Sequence, residues 1–224
     1  MKVKNNVAID GPAGAGKSTI AKLIAKKLGF IYIDTGSMYR AVTLKALQKN
    51  YDFDDHGALA RLSSEVKIEL FSGAQNDFRI FLDGEDVTEH IRQPEVSRHV
   101  SLVAKIPQVR KNMVRQQQIM AQTGGVVMDG RDIGTRVMPD AKYKFFLTAS
   151  TEERAKRRHL ELLQQGYEIS LDTIIAEIAE RDNIDQNRAV DPLVPAEDAV
   201  IIDSTGLTIN QVVELIVKHI DECK

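Results

Sequence analysis

Residues 11–18, near the amino terminus, constrain this chain more than any other stretch. Their sequence, GPAGAGKS, has the spacing G-x-x-x-x-G-K-S that is typical of phosphate-binding loops. An apolar run at 7–9 precedes the loop, and apolar residues at helical spacing follow it over 19–28. Glycines let backbone N–H groups approach phosphate closely, and the following helix directs its positive end at the anion. The stretch therefore predicts nucleotide binding by a strand, a loop and a helix.

The loop also supplies the side chains that phosphoryl chemistry needs. Lys17 can reach the β and γ phosphates, where its charge would serve catalysis, and the Ser18 hydroxyl can ligate Mg²⁺. The residues expected to hold the donor nucleotide are Gly11, Pro12, Ala13, Gly14, Ala15, Gly16, Lys17, Ser18 and Thr19. The loop alone names no reaction. A GTP-dependent switch would also need an N-K-x-D signature, and the chain contains no Asn-Lys dipeptide, which argues against that class.

Composition limits the partners of this chain. It has 30 Lys and Arg against 32 Asp and Glu, a formal net charge of −2, so no general attraction to nucleic acid or to a membrane is expected. The single cysteine, Cys223, cannot form an internal disulfide. No stretch has the apolar core of a signal peptide or 18 consecutive apolar residues. We therefore expect a cytoplasmic protein, and a monomer because no obvious apolar patch is visible.

Alternating strand and helix patterns predict the fold class. Apolar runs that are typical of buried strands lie at 7–10, 30–33, 126–128, 143–148 and 200–202. Amphipathic stretches that indicate helices include 37–49, 54–64, 94–104, 107–122 and 170–183. This alternation predicts an α/β fold of the P-loop NTPase type, with a five-stranded parallel sheet between two helical layers.

A small antiparallel sheet is expected inside this pattern. Residues 66–71 and 78–82 alternate apolar and polar side chains, which is the signal of half-exposed strands. A polar loop at 72–77 separates the two runs, and Asp83-Gly84 indicates a hairpin turn before a short third run. We interpret 66–88 as an antiparallel insertion in the α/β core.

Three charged segments follow core strands or lie on later helices, at the sheet edge where open α/β folds bind ligands. They are DTGSMYR at 34–40, DGRDIGTR at 129–136 and RDNIDQNR at 181–188. Arg131 suits bidentate phosphate recognition, Asp129 suits Mg²⁺-bound water, and Asp132 can accept from an exocyclic amine. Plainer interpretations stay open: a helix cap with a solvated arginine, a salt-bridged turn, and an intrahelical ion pair worth about 0.3–0.5 kcal/mol.

A basic helix carries a fourth group of charges. Ser150 and Glu153 have the spacing of a capping box, and Arg154, Arg157 and Arg158 share one face of the helix that it opens. The plainer interpretation is a solvated surface. A phosphoryl-transfer enzyme, however, needs several arginines to neutralise developing charge, and a mobile helix can supply them.

Taken together, these segments resemble the bacterial cytidylate kinases, a branch of the nucleoside monophosphate kinases. The resemblance rests on IDGPAGAGKST (9–19), DTGSMYR (34–40), DGRDIGT (129–135), ERDNIDQNR (180–188) and DPLVPAEDA (191–199), in order along nearly the whole chain. It implies transfer of the γ-phosphoryl group of ATP, with Mg²⁺, to CMP and to dCMP. A sister kinase for another small acceptor, such as UMP or shikimate, and a non-catalytic ATP-binding switch are the alternatives.

The resemblance also implies roles for individual residues. It assigns the acceptor phosphate to Arg40, Arg131 and Arg181, and the cytosine to Ser101, Arg110 and Asp132. It places Asp185 and Arg188 about the ribose and base, with Thr35 and Tyr39 nearby. The implied catalytic charges are Lys17, Arg131, Arg154, Arg157 and Arg158, of which the last three match a lid. The implied division is a core of 1–36, 106–152 and 168–224, a monophosphate-binding region of 37–105, and a lid of 153–167.

Overall fold

A five-stranded sheet forms the centre of the computed structural model, which describes residues 5–72 and 78–223. With all strands numbered in chain order, its members are β1 Val7–Asp10, β2 Ile31–Asp34, β6 Val126–Gly130, β7 Tyr143–Thr148 and β8 Val200–Asp203. The spatial order is β2-β6-β1-β7-β8, and every neighbouring pair is parallel. The predicted five-stranded parallel sheet is therefore confirmed.

Successive residues of each strand contribute to two apolar layers, because their side chains point to opposite faces of the sheet. Val7 and Ile9 belong to the layer that contains α1 (Lys17–Leu28) and α8 (Ile209–Glu222). Ala8 belongs to the other layer, which contains Val114 of α5 (Pro107–Ala121). The sheet thus lies between helices on both faces, which is the three-layer arrangement that the strand and helix pattern predicts.

The second sheet is small and antiparallel. Its strands are β3 (Ile68–Ser72), β4 (Phe78–Leu82) and β5 (Glu85–Asp86), in that order. The turn after β4 has Asp83 at φ 52° and Gly84 at φ 89°, left-handed conformations that tight hairpins use. The antiparallel insertion predicted at 66–88 is confirmed. Of the loop predicted at 72–77, Ser72 belongs to β3 and 73–77 lie outside the described residues.

Three helices lie between β2 and α5 along the chain: α2 Thr35–Gln48, α3 His56–Glu65 and α4 Pro94–Ala104, with a 3₁₀ turn at His90–Arg92 before α4. α2 begins two residues before its predicted start. The reason is its cap, since the Asp34 carboxylate accepts the Ser37 backbone N–H at 2.9 Å. This cap attaches α2, which carries Tyr39 and Arg40, directly to the end of β2.

α6 (Thr151–Gln164) and α7 (Leu171–Asn187) pack together. Their contact is an apolar cluster separate from the two layers of the central sheet, made by Ala155, Leu162, Ile174 and Ile178. Gly166, in the link between the helices, has φ of 83°. α7 continues four residues beyond its predicted end at 183, so positions 181 and 185 share one helix.

Only one of the two hydrogen bonds of the capping box predicted at the start of α6 forms, so that prediction is wrong in part. The Ser150 hydroxyl accepts the Glu153 N–H at 3.2 Å, as expected. The Glu153 side chain, however, accepts from Arg157 Nε at 3.1 Å instead of returning to the cap, because the arginine lies one turn away. The full motif forms at α8, where Thr208 and Gln211 bond reciprocally.

Candidate active site

The phosphate loop connects β1 to α1, and close packing requires glycine at its first position. A Cβ atom on Gly11 would lie 2.0 Å from the Leu147 carbonyl oxygen of β7. Gly16, at φ 85°, precedes α1 without a side-chain cap. The N–H groups of the first helical turn therefore receive no cap from Gly16 and can bind an anion.

Lys17 is the first residue of α1 and is buried, with 5% of its surface exposed. Its ammonium group donates to the Pro12 carbonyl at 2.7 Å. Burial lowers the pKa of Lys17 well below its usual value, and the positive charges of Arg131 and Arg181 lower it further. A phosphate bound among these three cations would relieve their repulsion.

Asp129, at the end of β6, lies beside the loop. Its Oδ2 accepts from the Ser18 hydroxyl at 2.8 Å, and its Oδ1 accepts from the Tyr32 hydroxyl at 2.9 Å. Burial raises the pKa of Asp129 to about 6, and the charge of Asp34 also raises it. The Ser18 hydroxyl and the carboxylates of Asp129 and Asp34 are oxygen ligands of the kind that Mg²⁺ prefers. Ser18 and Asp129 therefore fit the predicted metal site.

A cleft of about 1030 Å³ opens beside the loop. The predicted site residues that line it are Ala13, Gly14, Ala15, Gly16, Lys17, Ser18, Thr19, Arg40, Ser101, Arg131, Arg157, Arg158 and Arg181. The predicted site residues outside its lining are Gly11, Pro12, Thr35, Tyr39, Arg110, Asp129, Asp132, Arg154, Asp185 and Arg188. The cleft thus joins the phosphate loop to the arginines assigned to the acceptor phosphate, while most residues assigned to the sugar and base lie deeper.

The arginines assigned to the acceptor phosphate come from three separate segments. Arg40, on α2, donates to the Ile91 carbonyl at 3.0 Å and to the Ser97 hydroxyl at 2.9 Å. Burial lowers its pKa, and the charge of Arg181 lowers it further. The pKa of Arg181 is lowered to about 10, mainly by burial and next by the positive charge of Arg131. Guanidinium groups that repel one another in this way form a site for an anion.

Asp185 links this group of arginines to the base end of the site. It accepts from Arg131 Nε at 2.9 Å and lies 4.0 Å from Arg181 and 3.6 Å from Arg188. Burial raises the pKa of Asp185, but the three arginines outweigh burial and hold that pKa below its usual value. The interpretation of 181 and 185 as an isolated intrahelical ion pair is therefore wrong, because Asp185 makes a shorter contact with Arg131 than with Arg181.

Arg110 and Asp132, the residues assigned to cytosine, bind each other. Arg110 Nη2 donates to Asp132 Oδ2 at 2.5 Å, Nε donates to Asp191 at 3.3 Å, and Nη1 donates to the Ala104 carbonyl at 3.2 Å. Asp132 Oδ1 lies 3.8 Å from Arg188 Nη2. A base that contacts Arg110 must therefore compete with these partners. Asp132 therefore pairs with Arg110 and Arg188 from other segments, so a salt bridge confined to the turn at 129–136 does not describe it.

Several buried polar atoms of the acceptor residues have no hydrogen-bond partner within the described chain. They are the Tyr39 hydroxyl, Arg181 Nε and Arg188 Nη2. Buried polar groups in folded proteins are nearly always paired, so each unpaired one requires a reason. All three belong to residues that sequence reasoning assigns to one ligand. A polar ligand that supplies acceptors at this end of the cleft would satisfy them.

The basic helix is less solvated than the plainer interpretation predicts. Arg154 is 4% exposed, and its guanidinium binds Asp182 of α7 at 2.7 Å and the Ala13 carbonyl of the phosphate loop at 3.0 Å. Arg157 donates to the Ser204 carbonyl at 2.8 Å, and Arg158 pairs with Glu161 at 3.2 Å. The interpretation of this face as a solvated surface is therefore wrong for Arg154, which connects α6 to the phosphate loop.

Sequence reasoning missed Asp191. Its carboxylate accepts from Arg110, and its carbonyl accepts from Arg188 Nε at 2.7 Å. It does so at φ 47°, a left-handed conformation that aspartate adopts more readily than most residues. The residue lies in the motif at 191–199, but no local pattern indicates that it would hold two arginines.

Two further residues that line the cleft, Asp34 and Arg92, lie 3.6 Å apart; Asp34 was included in the segment at 34–40 without a role, and Arg92 was missed. Asp34 ends a core strand, as Asp129 does, and that shared position was a usable signal. Arg92 lies on the 3₁₀ turn before α4, where no motif marked it. Both lie close enough to Arg40 to affect its pKa, which the charge of Asp34 raises and that of Arg92 lowers.

Comparison with known proteins decides the family. The family model described as cytidylate kinase matches residues 7–222. The chain belongs to the cytidylate kinase family. A curated cytidylate kinase from Pelotomaculum thermopropionicum is 56% identical over 215 residues, which are 96% of this chain and 95% of the relative. One from Desulforamulus reducens is 57% identical over 218 residues, which are 97% of each chain.

Solved structures agree with this family in fold. An uncharacterized protein from Eubacterium ventriosum has a TM-score of 0.54 at 12% identity and covers 98% of this chain and 99% of its own. A putative kinase from Chloroflexus aurantiacus has a TM-score of 0.50 at 12% identity over the whole of both chains. Cytidylate kinase membership confirms the resemblance seen in the motifs. Over the described residues, the helices include none that is both long and apolar enough to span a bilayer.

Proposed function

We propose that this protein transfers the γ-phosphoryl group of ATP to CMP, with dCMP as a second acceptor, and releases ADP and CDP or dCDP. The Tyr39 hydroxyl, Arg181 Nε and Arg188 Nη2, which are buried and make no hydrogen bond among the described residues, carry the proposal. Leaving such groups unpaired costs about 1–3 kcal/mol each, so they point to a second polar ligand besides the one on the phosphate loop. A module that only senses ATP has no use for that second site. Family membership supports CMP as the ligand.

The donor nucleotide is assigned to the loop end of the cleft. Gly14, Gly16 and Lys17 would hold its phosphates, and the apolar residues Leu207 and Ile209 line the same cleft and suit its base. Ser18 would hold Mg²⁺, with Asp129 acting through water. When bound, the metal supplies charge neutralisation on the β and γ phosphates.

The acceptor is assigned to the arginine-rich end. Arg40, Arg131 and Arg181 line the cleft and would bind its phosphate. Arg131 would also face the charge that develops during transfer, because it is close enough to Lys17 to affect its pKa. Transfer in line between two bound nucleotides needs positioning and charge neutralisation, so no side chain need act as a covalent nucleophile.

We further propose three working parts: the core, a monophosphate-binding region at 37–105, and a lid at 153–167 that closes only when both nucleotides are bound. Arg157 and Arg158 bind Ser204 and Glu161, partners that phosphate would displace, and Gly166 lies at the end of the lid. Amide hydrogen exchange over 151–167 should slow with a bisubstrate analogue and change little with CMP alone. α3, outside the cleft lining, is the internal reference. Equal protection by both ligands would contradict a lid.

An ADP-release assay tests the proposed function. The protein is supplied with ATP, Mg²⁺ and one acceptor at a time: CMP, dCMP, UMP, AMP, GMP or shikimate. We expect turnover with CMP and dCMP and at least a hundredfold lower kcat/KM with UMP, since cytosine and uracil present opposite hydrogen-bonding groups at two positions. Turnover mainly with UMP or shikimate would indicate a sister kinase, and no turnover with any acceptor would indicate an ATP-binding switch.

We also infer a cytoplasmic monomer that binds small nucleotides rather than nucleic acid or membrane. The near balance of charge, with a net of −2, supports this inference. Sedimentation at micromolar concentration, with and without ATP, tests the monomer, which a stable dimer would contradict.

A further inference from the structure

Asp10 is a buried carboxylate at the end of β1, immediately before the phosphate loop, and it is 3% exposed. Its two oxygens accept separate backbone hydrogen bonds. Oδ1 accepts from the Ile133 N–H at 2.8 Å, and Oδ2 accepts from the Gly134 N–H at 2.7 Å. Those N–H groups open the π-helical turn Ile133–Val137. One side chain thus connects the start of the donor loop to the segment that follows Arg131 and Asp132.

The segment that carries Arg131 and Asp132 is held at its start by the central sheet. Gly130 is the last residue of β6 and pairs in register with Asp10 of β1. The Thr35 hydroxyl donates to the Asp129 carbonyl at 2.7 Å, and a Cβ on Gly130 would lie 2.6 Å from the same Oγ1, so the end of β6 is hydrogen-bonded and closely packed. Arg131 and Asp132 therefore form a two-residue link between two fixed points, β6 before them and the Asp10 contacts after them.

The link carries side chains that reach both ends of the acceptor site. Arg131 lines the cleft and binds Asp185, whereas Asp132 binds Arg110 and lies near Arg188. A small rotation of the link would move both side chains, because they are adjacent in the chain. The backbone position of the link thus affects phosphate binding and base recognition together.

Asp10 has no salt-bridge partner among the described residues, so its direct contacts are the two backbone hydrogen bonds, while the charge of Lys17 favours the carboxylate and that of Asp132 opposes it. Burial raises its pKa to about 7, an effect that the Gly134 and Ile133 N–H groups offset in part. Burying such a group costs free energy. Asp10 is therefore better explained by the position that it imposes on the link than by a gain in stability.

We propose that Asp10 is a positioning residue of the acceptor site, which holds the Ile133 and Gly134 backbone so that Arg131 and Asp132 meet the acceptor nucleotide. The proposal rests on the proposed function. Asp10 touches neither nucleotide in this proposal. Asp10 acts through the link formed by Arg131 and Asp132. Because Asp10 also precedes the phosphate loop, its side chain would set the distance between that loop and the acceptor residues.

The test is Asp10→Asn in the full chain. Asparagine keeps the shape but offers one acceptor oxygen, and its NH₂ group would face one of the two N–H donors. We expect the KM for CMP to rise at least tenfold, the KM for ATP to change less than threefold, and hydrogen exchange of the Ile133 and Gly134 amides to accelerate. Asp55→Asn is the matched control, since Asp55 also accepts a backbone N–H, that of Ala58 at 2.8 Å, away from the cleft.

The outcomes distinguish failure of the positioning role of Asp10 from failure of the proposed function. A CMP KM in Asp10→Asn that equals that of Asp55→Asn would overturn the positioning role, as would equal increases in the KM of CMP and ATP. If wild type does not phosphorylate CMP, the proposed function fails, while the amide exchange still reports whether Asp10 holds the turn. If Asp10→Asn does not fold, Asp10→Ala replaces it, because alanine removes both acceptor oxygens without placing an NH₂ group against the backbone donors and also removes a buried charge. A rise of at least threefold in its CMP KM supports the role, and no rise overturns it.

Discussion

Replacing Lys17 with alanine is expected to lower kcat at least a hundredfold while the fold stays intact. The ammonium group lies among arginines and would contact the phosphoryl group during transfer, where one well-placed donor is worth about 3 kcal/mol. The fold should survive because the side chain makes one hydrogen bond, to the Pro12 carbonyl, and removing a buried charge also removes its desolvation cost. Steady-state kinetics and thermal unfolding on the same sample measure both effects.

Lys26→Ala is the matched control for that prediction. Lys26 lies on the same helix, is exposed and has no place in the cleft lining. Its kcat should stay within twofold of wild type. If Lys17→Ala keeps more than a tenth of wild-type kcat, the assignment of the phosphate loop as the catalytic donor site is wrong.

Replacing Asp132 with alanine should lower activity mainly toward CMP and narrow the preference for CMP over UMP. A carboxylate accepts from the N4 amine of cytosine but would face the O4 carbonyl of uracil, while a neighbouring guanidinium donates to N3 or O2 of cytosine. Two mismatches of about 1–3 kcal/mol each give UMP a disadvantage of a hundredfold or more. The measurement is kcat/KM for both acceptors, with little change expected in the KM for ATP.

The structure adds a stability effect to this prediction. Asp132 is buried and binds Arg110 at 2.5 Å, so its removal leaves the guanidinium with Asp191 as its remaining carboxylate partner. Breaking a buried pair costs roughly 3 kcal/mol. Asp132→Asn therefore serves as a second variant, because it keeps the volume and can still accept from Arg110. Its NH₂ group would donate to the uracil carbonyl, so the CMP to UMP ratio should fall further than in Asp132→Ala.

Asp198→Ala controls for the loss of a carboxylate from a buried cation outside the cleft, although Asp198 itself is exposed. It removes the carboxylate that binds the buried Lys144 at 2.8 Å. Both acceptors should keep their ratio in this variant. If Asp132→Ala lowers CMP and UMP activity by the same factor, Asp132 merely orients Arg110 and Arg188, and base selectivity has another source.

The loop, the strands and the order of helices could be predicted because their signals are local. Gly11, Gly16 and Lys17 lie within seven residues of one another, so their spacing alone determines the loop. Apolar periodicity reports which face of each element is buried, and alternation of strands with helices favours a parallel sheet. The five strands and the antiparallel insertion were found in this way, with ends shifted by a few residues where caps such as Asp34 act.

Partner choice among charged residues required the tertiary structure. The charge patterns at 129–136 and 181–188 indicated a site, but they could not tell that Asp132 binds Arg110 while Arg131 binds Asp185. Each guanidinium has several carboxylates within reach, and small differences in backbone position decide which one it binds. Glu153 differs, because it chooses between two local partners and pairs with Arg157 one turn away on the same helix instead of completing a capping box.

Local sequence patterns are enough to predict a P-loop α/β protein with a phosphate loop and an arginine-rich second site. The tertiary structure decided how the two sites are joined. Strand order places β6 between β1 and β2, so that Ser18 meets Asp129 and Asp10 meets the turn at 133–134. Contacts between residues more than a hundred positions apart depend on how the strands are arranged in the sheet, and no local pattern of side chains specifies that arrangement.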